Sequence, residues 1–315
     1  MKISIIGAVG CIGSSIAFRL ATERLANEII LADIRQDWLE HHYFDIFDAT
    51  VAGVIDINVN TCNHEDIANS DIIIMAAGTS TRTKASVDEG KLPLRQRLLP
   101  DNLVIIKEWA QAINQFCPQS VVITATNPAE VLNYASYLLS STKKRNLFIG
   151  YSLNDTIRFK IAISQVFGVE PTKIEALVVG EHGGSMVSLL SSVKIDGKSV
   201  VFEEDDIVKI LEQTNDFLPH MIRLKVPRTS GWLTGVGIAM LVKAIINDTR
   251  EVIPCCAILD GEYGYQGISI GVPVALGRMG ICEIIEYKLT SNEKGLLDQS
   301  VNNIQASVNY VLEHI

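Results

Sequence analysis

The chain has 315 residues, 48% of them hydrophobic and 20% charged, enough for one large or two medium domains around a substantial core. A formal net charge of −9 argues against nucleic acid or an anionic membrane as the main partner, so an anionic ligand needs a local basic pocket. Charges interrupt the apolar runs before the roughly 18 residues of a membrane span, and six cysteines without C-x-x-C or histidine spacing predict reduced thiols in a cytoplasmic protein with no metal site.

Residues 3–6 predict a short buried strand, followed by Gly7-Ala8-Val9-Gly10-Cys11-Ile12-Gly13 and a helix over 14–23. Those three glycines also break the one leader-like apolar stretch, which has no cleavage site after it. Strand, glycine turn and helix form the setting of a dinucleotide fingerprint, here spaced G-x-x-G-x-x-G. Gly7 serves the tight turn, Gly10 the approach of a pyrophosphate and Gly13 the packing of helix on sheet. The N–H groups around Cys11 and Ile12 open the helix toward the phosphates. A second strand, 28–32, ends at Asp33, twenty residues after Gly13. A carboxylate there accepts both ribose hydroxyls and repels a 2′-phosphate, which favours NAD over NADP, with Arg35 the one reservation. The plain alternative for Asp33 is a solvated acid at a strand end.

Residues 38–50 predict a helix crowded with Trp38, Tyr43, Phe44 and Phe47, a face for the core or for a second subunit. Strands follow at 55–59, at 71–75 leading to Gly78, and at 120–124 leading to Asn127-Pro128. Helices fall at 103–116 and 129–139, and a last strand at 147–149. This alternation predicts right-handed crossovers and an α/β, doubly wound parallel sheet, a Rossmann domain over residues 1–150. Ligands bind such sheets at the carboxyl ends of the strands, where Gly7, Asp33, Gly78 and Asn127 lie. Asn127 is either an N-cap before Pro128 or a hydrogen-bonding partner of substrate or nicotinamide. Residues 79–95 lack periodicity and carry Arg82, Lys84 and Lys91, with Arg95 where a helix begins. A segment of that length reads as a functional loop, a lid carrying basic residues.

In the second half, Asn154-Asp155 opens a helix over 156–167 with Gly168 as its C-cap. Asp155 and Arg158 share one face, either as a functional pair or as an N-cap acid and a surface arginine. A strand-like run at 174–179 leads into Gly180-Glu181-His182-Gly183-Gly184. An imidazole among glycines suits proton exchange near neutral pH, yet alone it is as easily an ordinary turn histidine. Antiparallel strands are predicted at 188–195, before a turn at Asp196-Gly197, and at 265–275. A long helix follows Gly235, and the last begins at the capping box Thr290–Glu293, with Leu297, Val301, Ile304, Val308 and Val311 at helical spacing. Residues 151–315 therefore read as an α+β substrate domain.

Taken in order, the motifs GAVGCIG, strand-end Asp33, AAG at 76–78, ATNPAEVL at 125–132, NDTIRFK at 154–160, GEHGGSM at 180–186, IRLK at 222–225 and GVPVALGRMGI at 271–281 resemble the NAD-dependent lactate and malate dehydrogenase family. The glycine spacing is closer to its malate enzymes. The resemblance implies reversible NAD-dependent oxidation of an L-2-hydroxy acid by a homodimer or homotetramer. It makes His182 the proton donor and acceptor, Asp155 the partner that fixes its tautomer, and Arg158 the clamp on the substrate carboxylate. Arg95 polarises the reacting carbonyl, and Asn127 hydrogen-bonds substrate near the nicotinamide. Gly184 and Ser188 stand where the family usually has aspartate and proline, and the 79–95 loop is longer than usual. Arg82 falls near the family's specificity position and points to malate ahead of lactate or another 2-hydroxy acid, with Lys84 or Lys91 as alternative readers. A short-chain dehydrogenase is disfavoured, since none of the eight tyrosines has lysine four residues on. A non-catalytic dinucleotide-binding protein is the remaining alternative.

Overall fold

The computed structural model describes residues 1–79, 96–224, 226 and 230–315. Six parallel strands build its first half: β1 (Lys2–Ile6), β2 (Glu28–Ala32), β3 (Asn58–Thr61), β4 (Ile72–Met75), β5 (Val121–Thr124) and β6 (Phe148–Tyr151). Their spatial order is β3-β2-β1-β4-β5-β6, with the chain turning back on either side of β1. Ile3, Ile5, Ile72 to Ile74 and Ile123 are fully buried, as unbroken β-branched strands covered on both faces should be. Helices α1 (Cys11–Thr22), α2 (Gln36–Ala52), α3 (Leu99–Phe116) and α4 (Ala129–Leu139) make the crossovers.

The second half contributes β7 (Ile174–Glu175), β8 (Val178–Gly180), β9 (Met186–Ser188), β10 (Lys194–Ile195), β11 (Lys198–Ser199), β12 (Val252–Asp260), β13 (Gln266–Gly277) and β14 (Gly280–Ile284). Helices α5 (Leu153–Phe167), α6 (Glu204–Arg223), α7 (Gly231–Asn247) and α8 (Ser291–His314) accompany them. The two halves share one sheet. Cys255 and Cys256 of β12 pair antiparallel with Tyr151 and Gly150 of β6, and β13, β8 and β9 continue from there. A separate small sheet, β11-β10-β7, covers a satellite core around Phe159, Ile163, Ile174 and Ile210.

Several expected boundaries move. The run at 174–179 is two strands, one in each sheet, and the segment expected as one strand over 188–195 is interrupted by a 3-10 turn, Leu190–Ser192. The strand expected at 55–59 lies at Asn58–Thr61. α7 begins at Gly231, ahead of Gly235, because these two glycines let it press onto α1. A Cβ on Gly231 would lie 2.5 Å from the Cys11 carbonyl oxygen, and one on Gly235 2.4 Å from Ser15 Oγ. The Thr290 capping box is present with both reciprocal bonds, and Leu297, Ile304, Val308 and Val311 are buried beneath α8.

Candidate active site

The carboxyl edge of the parallel strands collects most of the expected residues. Just past β1, Gly7 has φ +86°, and a Cβ there would meet the Ala77 backbone nitrogen at 2.4 Å. Gly13 is tighter, since its Cβ would fall 2.1 Å from the Gly7 carbonyl oxygen. Gly10 meets nothing closer than 3.3 Å and is the N-cap of α1, with no side chain capping the helix. The first N–H groups of α1, around Cys11 and Ile12, are thus left for an anion beside a backbone that side chains cannot crowd. Asp33 ends β2 with its side chain 6% exposed, accepting from the Val9 N–H at 3.2 Å and from the Arg35 Nε at 3.1 Å. Arg35 therefore lies along the acid and holds it in place.

At β4 and β5, Gly78 is exposed on one side. On the other, a Cβ would meet the Thr126 methyl at 2.6 Å. Asn127 is not an N-cap. Pro128 occupies that position, the Asn127–Pro128 bond is cis, and α4 starts at Ala129. The Asn127 carbonyl accepts from Asn102 Nδ2 at 2.7 Å, while its side-chain Oδ1 is buried without a partner among the described residues. A glycine cradle, an uncapped helix start, a strand-end carboxylate and an orphaned amide oxygen on one sheet edge match the needs of a bound NAD.

The catalytic candidates converge from elements far apart in sequence. His182 follows β8, after Gly180 at φ +91°, and is 8% exposed. Its Nδ1 is hydrogen-bonded to Asp155 Oδ2. Asp155 lies in the first turn of α5, where helical spacing brings Arg158 Nη1 to within 3.0 Å of its other oxygen. Asp155 is thus no N-cap. It joins a buried ion pair to the imidazole, with side-chain exposures of 6% for Asp155 and 12% for Arg158. The Phe217 ring of α6 lies 3.7 Å from the Arg158 guanidinium and covers one of its flat faces.

Two functional neighbours escaped the sequence reading. Glu130, in the first turn of α4 and 1% exposed, accepts a hydrogen bond from the His182 backbone N–H. Burial raises its carboxyl above the usual range, against the opposing charge of His182 and with the help of Glu181. Asn102, fully buried in α3, holds both the Asn127 carbonyl and, at 2.8 Å, the Thr79 N–H. A lone acid in the otherwise apolar, fully buried stretch Ala129 to Ser136 was the available signal for Glu130. Arg82, Lys84, Lys91 and Arg95 lie outside the described residues, as does Lys225 of the IRLK motif.

Comparison with known proteins bears on this site. Residues 1–149 match the family model of the lactate/malate dehydrogenase NAD binding domain, and residues 153–315 that of the lactate/malate dehydrogenase alpha/beta C-terminal domain. Curated relatives include a malate dehydrogenase of Natronomonas pharaonis, 32% identical over 96% of this chain and 97% of that protein. Another, from Aliarcobacter butzleri, is 32% identical over 99% and 97%. Among solved structures, Cryptosporidium parvum malate dehydrogenase superposes with TM-score 0.90 at 28% identity, covering 99% of both chains. The lactate dehydrogenase of the same organism, complexed with lactic acid and NAD, gives 0.89 at 28% identity over 98% and 97%.

Proposed function

The chain belongs to the lactate/malate dehydrogenase family of NAD-dependent oxidoreductases, and from that premise we propose that it interconverts L-malate and oxaloacetate, with L-lactate and pyruvate as the second reading. The His182–Asp155–Arg158 cluster is the observation that carries the chemistry. Bound NAD supplies the hydride acceptor. The protein's part is to bind, orient and move one proton. With Nδ1 committed to Asp155, the His182 Nε2 is the atom that takes the hydroxyl proton during oxidation and returns it during reduction. Asp155 fixes that tautomer and balances the imidazolium. Arg158, anchored by Asp155 and backed by Phe217, presents a planar fork suited to the substrate's 1-carboxylate. Asn127 contributes its buried amide at the join of substrate and nicotinamide. Arg95 serves as the group on the reacting carbonyl and Arg82 as the partner of a second carboxylate, both carried over from the sequence.

Malate is favoured by Arg82 and by the relatives' names, and lactate by one structural neighbour. Steady-state NADH oxidation with oxaloacetate, pyruvate and a branched 2-oxo acid tests the choice. Oxaloacetate is expected to be fastest, and equal inactivity on all three overturns the reading. Arg82→Gln should shift the preference toward pyruvate; an unchanged ratio removes Arg82 as the discriminator.

The same proposal extends to assembly and place. α1 packs against both α2 and α7, and exposed apolar side chains stand on all three: Phe18, then Trp38 (61% exposed), Phe44 and Phe47, then Trp232 (66%) and Met240. That face supports a homo-oligomer, and light scattering of the purified chain tests it. A cytoplasmic location is supported by the six free cysteines. Among the described residues, no helix is long and apolar enough to cross a membrane.

A further inference from the structure

We infer that Glu130 is a second positioning residue for His182, holding the histidine's main chain from the nucleotide-binding half while Asp155 holds its ring. The inference rests on the proton-transfer reading above. The sequence around His182 gives it little rigidity of its own: Gly180 precedes and Gly183-Gly184 follow, and a Cβ on Gly184 would meet nothing. A ring tethered at Nδ1 alone can pivot with its loop. A second anchor on the backbone N–H, from a carboxyl group 1% exposed, removes that freedom. On the other side of the loop, Ser300 of α8 accepts from the Glu181 N–H at 2.8 Å.

Glu130 is also three residues past Asn127, so one rigid helix start carries both the amide at the nicotinamide end and the anchor of the proton carrier. Distance between the two partners in hydride and proton transfer is thereby set by α4. The first turn of α4 favours an anion at this position. Among the described residues, the titratable and charged groups around His182 are Asp155 and Arg158 on α5, Glu181 on its own loop, Glu130 on α4 and the buried Cys256 thiol of β12 behind it. A carboxylate at Glu130 thus adds to Asp155 in favouring the imidazolium.

Glu130→Gln, Glu130→Ala and the control His182→Asn separate the possibilities. Each is assayed for NADH binding by fluorescence, for kcat and KM, and for the pH profile of 2-oxo acid reduction, which needs the imidazolium and falls as pH rises. Glu130→Gln keeps the acceptor, so its low-pH turnover should stay close to wild type while the fall moves to lower pH. Glu130→Ala should lose about 10- to 100-fold in kcat through misplacement, with NADH binding unchanged. Wild-type turnover in Glu130→Ala, or an unmoved profile in Glu130→Gln, overturns the inference, and the Gln variant decides alone if the Ala variant does not fold. Full turnover in His182→Asn would instead sink the proton-transfer reading itself.

Discussion

Asp155→Asn is the substitution whose consequence can be worked most fully. Asp155 accepts from His182 Nδ1 with one oxygen and from Arg158 Nη1 with the other, and the side chains of all three are at most 12% exposed. Hydrogen bonds to a charged group contribute about 1.5–3 kcal/mol each. The arginine bond is common to ground and transition states, and an asparagine carbonyl can still accept it. The histidine bond is not common to both, because the imidazole gains a positive charge in one direction and loses it in the other. Removing the charge therefore costs about 3 kcal/mol of differential stabilisation, or roughly 100-fold in kcat. An amide can also donate to Nδ1, which moves the ring proton to Nε2 and blocks proton acceptance there. That pushes the loss in the oxidation direction toward the upper part of the ~10²–10⁴-fold range for general acid–base help. The assay is steady-state turnover in both directions, with NADH binding as a check on folding. A loss below about tenfold in both directions, with NADH bound normally, would refute the account of Asp155.

Gly13→Ala places a methyl group 2.1 Å from the Gly7 carbonyl oxygen, which is backbone and cannot swing away, so the turn must open. A stability loss of about 1–3 kcal/mol by denaturant titration is expected, together with weakened NADH binding; normal binding would show that the turn does not cradle the phosphates. Away from the site, hydrogen bonding by Arg145 holds the Glu262 carboxyl down to about 2, below an ordinary value of 4.5. The folded value is the lower one, so the pair's stabilisation is present above the ordinary value and fades as pH falls toward 2. Arg145 is 38% exposed, and solvent screening limits the contribution to about 1 kcal/mol. The stability difference between wild type and Glu262→Gln should therefore shrink as pH is lowered from 5 to 2. A difference independent of pH contradicts this.

Features encoded locally were legible before any coordinates. The Gly7–Gly13 turn, Asp33 at the end of β2, the αL Gly168 and the Thr290 capping box each depend on residues within one turn or one strand end. Features that depend on distant partners were not. Glu130 sits 52 residues from His182, and nothing in its own helix says that its oxygen receives that amide. The β12 strand was missed because Val252-Ile253-Pro254-Cys255-Cys256 interrupts an apolar run with proline. Its pairing with β6, which joins the two halves into one sheet, is a tertiary fact. The split of 174–179 into β7 and β8 has the same origin, since one periodic apolar run feeds two different sheets. Asp155 was ambiguous for a related reason. An acid at a helix start satisfies capping rules on sequence grounds, and only the approach of β8 gives its oxygens a different use.

The central claim is that His182 carries the proton while other groups bind the cofactor. His182→Asn keeps the size and polarity of the side chain and removes its acid–base function. Single-turnover and steady-state reduction of oxaloacetate should fall by about 10²–10⁴-fold while NADH binding stays at the wild-type level. Turnover near wild type would contradict the claim.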